Sequence, residues 1–159
     1  MLPIRTVLHP TDFSDRSWHA LQLACALARD YKARLILLNV VPHAIIAYGE
    51  GVIPTDPEDL FREAHARLDA HADHCTDLVA ERRVEEGDPA TLILSVALEG
   101  HADVIVMGTH GRTGLRRLIM GSVAEEVVRH ASCPVLTVTS PFPPAVPLAE
   151  VAEPVLATA

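Results

Sequence analysis

The sequence predicts an α/β fold built on a parallel sheet, on three observations. Short apolar runs of strand length alternate with helical patterns from the first residues to about residue 139. Two of the runs, Leu35 to Val41 and Asp103 to Met107 with its Val-Ile-Val-Met, are nearly continuous, as strands covered on both faces are. Helix-start signals follow the runs within a few residues, which fits strand–helix units with right-handed crossovers. With 159 residues, 49% of them hydrophobic, one domain with a substantial core accounts for the chain.

The elements follow in order. Ile4 to His9 reads as a first strand, and Pro10-Thr11-Asp12-Phe13-Ser14 breaks its pattern. Ser14 is placed to cap a helix over Asp15 to Tyr31, whose inner stripe is Trp18, Leu21, Cys25 and Ala28. Leu35 to Val41 is the second strand. Pro42 to Thr55 is a long connection, and its Ile45, Ile46 and Tyr48 suggest an arm that packs on something. Asp56-Pro57-Glu58-Asp59 offers a cap, a first-position proline and acids in the first turn. Leu60, Ala64, Leu68, His71 and Cys75 then share one helix face. Arg82 to Glu86 is a short polar strand suited to a sheet edge. Gly87-Asp88-Pro89 turns the chain into a helix that ends at Gly100. The strand to Met107 leads into a glycine-punctuated loop over Gly108 to Met120, a helix over Ser122 to Ala131 and a last strand over Pro134 to Thr139. Residues 1–139 thus form the domain. Residues 140–159, with five prolines and many alanines, read as a mobile tail.

Charge and cysteines narrow the function. A formal net charge of -8 disfavours non-specific binding to nucleic acid or to an anionic membrane, since both need a positive field. The start lacks the basic-then-apolar layout of a secretion signal, and no apolar run reaches the ~18 residues of a membrane span, so a cytoplasmic protein is expected. The three cysteines, Cys25, Cys75 and Cys133, are far apart and odd in number, and reduced thiols are the expectation.

The informative stretch is Gly108-Thr109-His110-Gly111, nine further residues, then Gly121-Ser122. Gly108 ends a buried strand and therefore lies at the carboxyl edge of the sheet, where open α/β sheets bind ligands. Gly108 and Gly111 let main-chain N–H groups come close to an anion. Gly121-Ser122 opens a helix whose free amides favour negative charge. The pattern is neither a P-loop, which needs a lysine after its second glycine, nor a compact dinucleotide fingerprint. Each glycine is equally consistent with a plain turn, and Ser122 with Glu125 forms a capping box, so Ser122 is expected to cap. Arg112, Arg116 and Arg117 cluster within the loop and are placed either to neutralise phosphate or to face solvent. Leu115, Leu118 and Ile119 give the loop a helical turn. Asp12, just past the first strand at the same edge, can accept hydrogen bonds from ribose hydroxyls or can serve as a turn residue.

With these residues in view, the chain resembles the universal stress protein family over about residues 3–139. The family's run of Gly, two residues, Gly, nine residues, Gly and Ser or Thr is similar to Gly108, Gly111, Gly121 and Ser122. Pro10-Thr11-Asp12-Phe13-Ser14, Gly87-Asp88-Pro89 and Cys133-Pro134-Val135-Leu136 also look like it. The resemblance implies an open five-stranded parallel sheet of order 3-2-1-4-5, with the switch point between strands 1 and 4. It implies an adenine nucleotide, ATP or ADP, with Mg²⁺ bridging phosphates. Thr11, Val40 and Met107 would line the adenine, Pro10 would also belong to the nucleotide site, Asp12 would meet the ribose, and Gly108 would lie by the ribose and α-phosphate. Gly111, Gly121, Ser122 and the Val123 amide would hold the phosphates, with Arg112 beside them. The resemblance further implies a homodimer through the last strand, with Val135, Thr137 and Val138 pairing across a two-fold axis.

Three other readings compete with a nucleotide-dependent regulatory module. A slow ATPase or phosphotransferase needs a base near the γ-phosphate, and His110 is the local candidate. A scaffold dimer would bind no nucleotide. A metal sensor would use His71, His74 and Cys75, although one helix rarely completes a tetrahedral site.

Overall fold

The computed structural model describes residues 3–42, 56–75, 77–109 and 120–139. The Pro42–Thr55 arm beyond Pro42, the loop residues His110 to Ile119 and the tail 140–159 lie outside the described residues. Five parallel strands form one sheet in the order β3-β2-β1-β4-β5. They are β1 (Thr6–Thr11), β2 (Arg34–Val41), β3 (Ala80–Glu86), β4 (Val104–Gly108) and β5 (Val135–Val138). The helices are α1 (Asp15–Tyr31), α2 (Pro57–Ala72), α3 (Pro89–Glu99) and α4 (Ser122–His130), with a single 3-10 turn over Asp73–Cys75. None of the described helices is long and apolar enough to cross a membrane.

From β1 the chain builds outward through β2 to β3, then returns to the other side of β1 for β4 and β5. Right-handed crossovers running in opposite directions must place their helices on opposite faces. Accordingly α1 and α2 share one face, where Leu21, Cys25 and Ala28 meet Leu68, Ala72 and Cys75 over Val7, Leu35, Leu37 and Val106. Helices α3 and α4 share the other, where Ile93, Val96 and Val127 cover Leu8, Ile36, Leu38 and Ile105. The apolar runs β2 and β4 flank β1, which is buried along its whole length.

Local chemistry sets the helix ends where the sequence places them. The Ser14 side chain accepts from the Ser17 amide, Asp56 accepts from Glu58, and Asp88 accepts from Thr91. Strand ends depend on pairing and moved more. The first strand runs over Thr6–Thr11 rather than Ile4 to His9. Pro10 is thus inside a central strand, where its missing N–H would ordinarily cost a ladder bond. The register explains the exception: β1 pairs with β4 only at Val7 and Leu8, but with β2 as far as Thr11. Pro10 stands where β1 and β4 have already parted.

Two expectations fail. Ser122 does not cap α4: Gly121 is the cap residue, no side chain caps the helix, and Ser122 is its first residue. The Gly121 carbonyl already starts the helix by accepting from Glu125 at 2.9 Å, so the turn begins one residue earlier than the Ser-x-x-Glu pattern implies. The cysteines are also not all reduced, since Cys25 and Cys75 form a disulfide with Cα atoms 6.0 Å apart. Their separation of 50 residues hides the pair in the sequence, and the shared α1–α2 face brings them together. Cys133 is the free thiol.

Candidate functional site

Where β1 and β4 part, a cleft of about 300 Å³ opens at the carboxyl edge of the sheet. It is lined from β1 and its turn by Pro10, Thr11 and Asp12, from β2 by Val40, from β4 by Met107 and Gly108, and from the start of α4 by Gly121, Ser122 and Val123. Every described residue that the sequence nominates for the ligand therefore lies on one surface. Gly111 and Arg112 lie outside the described residues. Ser17, Leu38, Pro89, Ile93, Thr109 and Ala124 complete the lining and were not nominated. Ser17 and Ile93 carry no sequence signal beyond their helical patterns, and they arrive by packing. Thr109 sits inside the glycine run and was passed over for its neighbours.

The turn that carries Asp12 is held from several sides. Thr11 Oγ1 accepts from the Phe13 amide at 3.0 Å and from the Ser17 hydroxyl at 2.8 Å. Asn39, buried on β2, donates its side-chain amide to the Thr11 carbonyl at 2.8 Å. Phe13 takes a left-handed backbone at φ 63°, unfavourable for a bulky residue and held here by those bonds. Asp12 uses one carboxylate oxygen, Oδ1, to accept from the Ser14 amide at 3.1 Å and the Ser14 hydroxyl at 2.7 Å. Its other oxygen, Oδ2, is buried and has no partner. An orphaned carboxylate oxygen is costly, and Asp12 is one of the residues that line the cleft.

The opposite wall is electropositive in character. Helix α4 begins at the cleft, and among the described residues no side chain caps its first amides. The Gly121 amide donates to the Thr109 carbonyl at 2.6 Å. The Gly121 amide is thus engaged within the protein, while Ser122 and Val123 follow it as the first residues of α4 on the cleft wall. Ser122 is exposed, and its hydroxyl is not engaged in capping. Gly108 has a packing reason for lacking a side chain: a Cβ there would lie 3.1 Å from the Arg16 carbonyl carbon and the Ser17 amide nitrogen. The end of β4 is thereby pressed against the first turn of α1, which keeps the two walls of the cleft in register.

Below this edge His9 is fully buried, with Nδ1 2.8 Å from the Val106 carbonyl. A carbonyl only accepts, so Nδ1 carries the proton and Nε2 is left without a partner. Burial pushes its pKa down to about 4, and the ring is neutral at physiological pH. His71 and His74, nominated with Cys75 for a metal, stack edge-on against Trp18 with ring centroids at 5.5 and 4.4 Å, and Cys75 is held in the disulfide.

Comparison with known proteins agrees with this architecture. Residues 3–139 match the model of the universal stress protein family. A universal stress protein of Methanocaldococcus jannaschii is 36% identical over 141 residues, covering 86% of this chain and 83% of that protein. Among solved structures, a protein of the family from Burkholderia pseudomallei is 34% identical, with TM-score 0.69 over 88% of this chain and 99% of the other. The universal stress protein from Archaeoglobus fulgidus in complex with dAMP is 26% identical, with TM-score 0.60 over 87% of this chain and all of the other (100%). Five parallel strands in the order 3-2-1-4-5, a cleft at the strand 1–4 switch point and a family match over nearly the whole domain lead to one assignment: the chain belongs to the universal stress protein family.

Proposed function

We propose that the cleft binds an adenine nucleotide, ATP or ADP, and that occupancy makes the protein a nucleotide-dependent regulatory module in the stress response. The observation that carries this is the pairing of opposites across one cleft. Asp12 Oδ2 is a buried acceptor without a donor, and α4 starts at the same cleft with first amides that no described side chain caps. A ligand with hydroxyls at one end and an anion at the other satisfies both, and a nucleotide is such a molecule. The apolar side chains of Val40, Met107 and Ile93 offer the base a dry wall. The dAMP complex of the Archaeoglobus fulgidus relative supports an adenine base and a phosphate for this family member too.

Among the described residues no group of three His, Cys, Asp or Glu is placed to cage a metal. The residues fit an ion carried mainly by phosphate oxygens and water, as Mg²⁺ ordinarily is, and the Ser122 hydroxyl would offer it a protein oxygen at the start of α4. Such an ion would supply charge neutralisation to the phosphates. The chain's own residues bind and orient the nucleotide, and no described side chain in the cleft is a histidine or lysine. Strand β5 is a sheet edge, and a homodimer through its backbone would cover it. Val138 keeps its side chain in the core and its carbonyl accepts from the Thr109 amide inside the sheet, so that contact falls to Val135, Leu136 and Thr137, whose side chains are more exposed.

Isothermal titration with ATP and Mg²⁺, together with mass spectrometry of any nucleotide released by denaturing the purified protein, tests the reading. Saturable one-site binding that Asp12→Ala weakens is expected. An absence of binding to ATP, ADP and AMP alike would overturn it.

A further inference from the structure

The Cys25–Cys75 disulfide joins two elements that the proposed nucleotide site needs in register. Cys25 lies in α1, and Cys75 closes the 3-10 turn that follows α2. Both are buried in the same core cluster, 6% and 1% exposed, with Leu68, Ala72 and Leu21 around them. From that point α2 runs back along the turn that carries Asp12. The Arg67 guanidinium lies 4.2 Å over the Phe13 ring. The His71 ring meets Phe13 edge-on at 4.9 Å and Trp18 at 5.5 Å, and His74 meets Trp18 at 4.4 Å. Phe13 is the left-handed residue between Asp12 and Ser14, so the second half of α2 grips the strained point of the turn. These ring contacts are individually weak, of order 0.5–1.5 kcal/mol. Among the described residues, the ion pair near Cys75 is Arg29 to Asp77, with Nη2–Oδ1 at 2.8 Å, which is exposed and screened by salt. The covalent bond is therefore the strongest connection between the end of α2 and α1.

We propose that Cys25 and Cys75 form a reversible thiol–disulfide tether that sets how firmly α2 is seated against the Asp12 turn, so that reduction loosens the seat and weakens the adjoining site. The coupling to ligand rests on the nucleotide reading above. The chemistry is a two-electron exchange with a dithiol. A thiolate of the reductant attacks one Sγ, the Sγ–Sγ bond breaks, two cysteine thiols form, and the dithiol leaves as its cyclic disulfide. Cys133 is no competitor for the exchange: it lies two residues before β5, against the other core cluster, and burial pushes its thiol pKa up.

The whole chain supplies its own reporters. It has three cysteines and one tryptophan, Trp18, which packs on α2. The protein is equilibrated across ratios of reduced to oxidised dithiothreitol, quenched, alkylated after denaturation and weighed. One alkylated cysteine marks the closed tether and three the open one. At each ratio, hydrogen exchange of α2, Trp18 emission and ATP–Mg²⁺ affinity are measured. On opening, amides in the second half of α2 are expected to exchange about tenfold faster or more. Trp18 emission is expected to shift, and ATP affinity to fall about fivefold. The Cys25→Ala/Cys75→Ala variant should reproduce the open state without reductant, and if it fails to fold the wild-type redox series decides alone. Three alkylated cysteines at every ratio, or unchanged exchange and emission on reduction, overturn the tether. Equal ATP affinity in the two states overturns its coupling to the site. Failure of both states to bind ATP overturns the nucleotide reading instead, and the tether then stands or falls on thiol count, exchange and emission.

Discussion

Asp12 has two carboxylate oxygens with different roles: Oδ1 organises the turn through Ser14, and Oδ2 waits for a donor. Asp12→Ala removes both. We expect nucleotide affinity to fall by about 1–3 kcal/mol, the scale of hydrogen bonds to a charged group, as read by isothermal titration. Unfolding experiments should show a smaller loss, since the turn keeps its Thr11 and Asn39 bonds. His9 offers a second test at this scale. Its folded pKa of about 4 lies below the ordinary 6.5, so between those values the unfolded chain takes up the extra proton. The stability linked to neutral His9 is complete above about pH 6.5 and drains away as the pH falls to about 4. The amount is about 3 kcal/mol at most. Urea unfolding followed from pH 7 to pH 4 should show that loss, and His9→Leu should flatten the curve. Asp12 was legible in the sequence because the turn chemistry around it is local. His9 was not, because its significance comes from Val106, 97 residues away, and from total burial.

At the scale of elements, legibility followed the range of the forces involved. The ends of α1 and α2 were readable from Ser14 and Asp56, whose caps act within three residues. The end of β1 was misread because Pro10 looks like a terminator, and only the parting of β1 from β4 makes it acceptable inside the strand. Ser122 was misread because the Ser-x-x-Glu pattern has two possible frames, and the bond from Gly121 to Thr109 selects the other one. The glycines now make distinct predictions. Gly108→Val should push α1 from the end of β4, where only 3.1 Å separates a Cβ from α1 backbone. Such overpacking costs about 1–3 kcal/mol and should appear as a lower midpoint in thermal unfolding. Gly121→Val meets no backbone obstacle at φ -75°, so the fold should persist. Nucleotide binding should nonetheless drop at least tenfold in titration, because the new side chain stands beside the Ser122 and Val123 amides.

For the whole molecule, the strand order was legible through resemblance, whereas the covalent link between α1 and the end of α2 was not, because no local pattern pairs residues 50 apart. The two edges of the sheet differ. Strand β3 is dressed with charge through Arg82–Asp69, Arg83–Glu81 and Arg34–Glu81 ion pairs, which discourages edge pairing. Strand β5 carries no such pairs among the described residues and exposes Leu136. A dimer through β5 is therefore expected in light scattering coupled to size exclusion. Thr137→Pro, which removes a backbone donor, should shift the protein to monomer with its far-ultraviolet circular dichroism retained.

The clasp between the Thr109 carbonyl and the Gly121 amide has a consequence for the tolerance of insertions. With the two ends of a segment held together, doubling its length would cost only about 0.6 kcal/mol in closure entropy. Sequence inserted between Thr109 and Gly121 should on that arithmetic leave the sheet below folding unchanged.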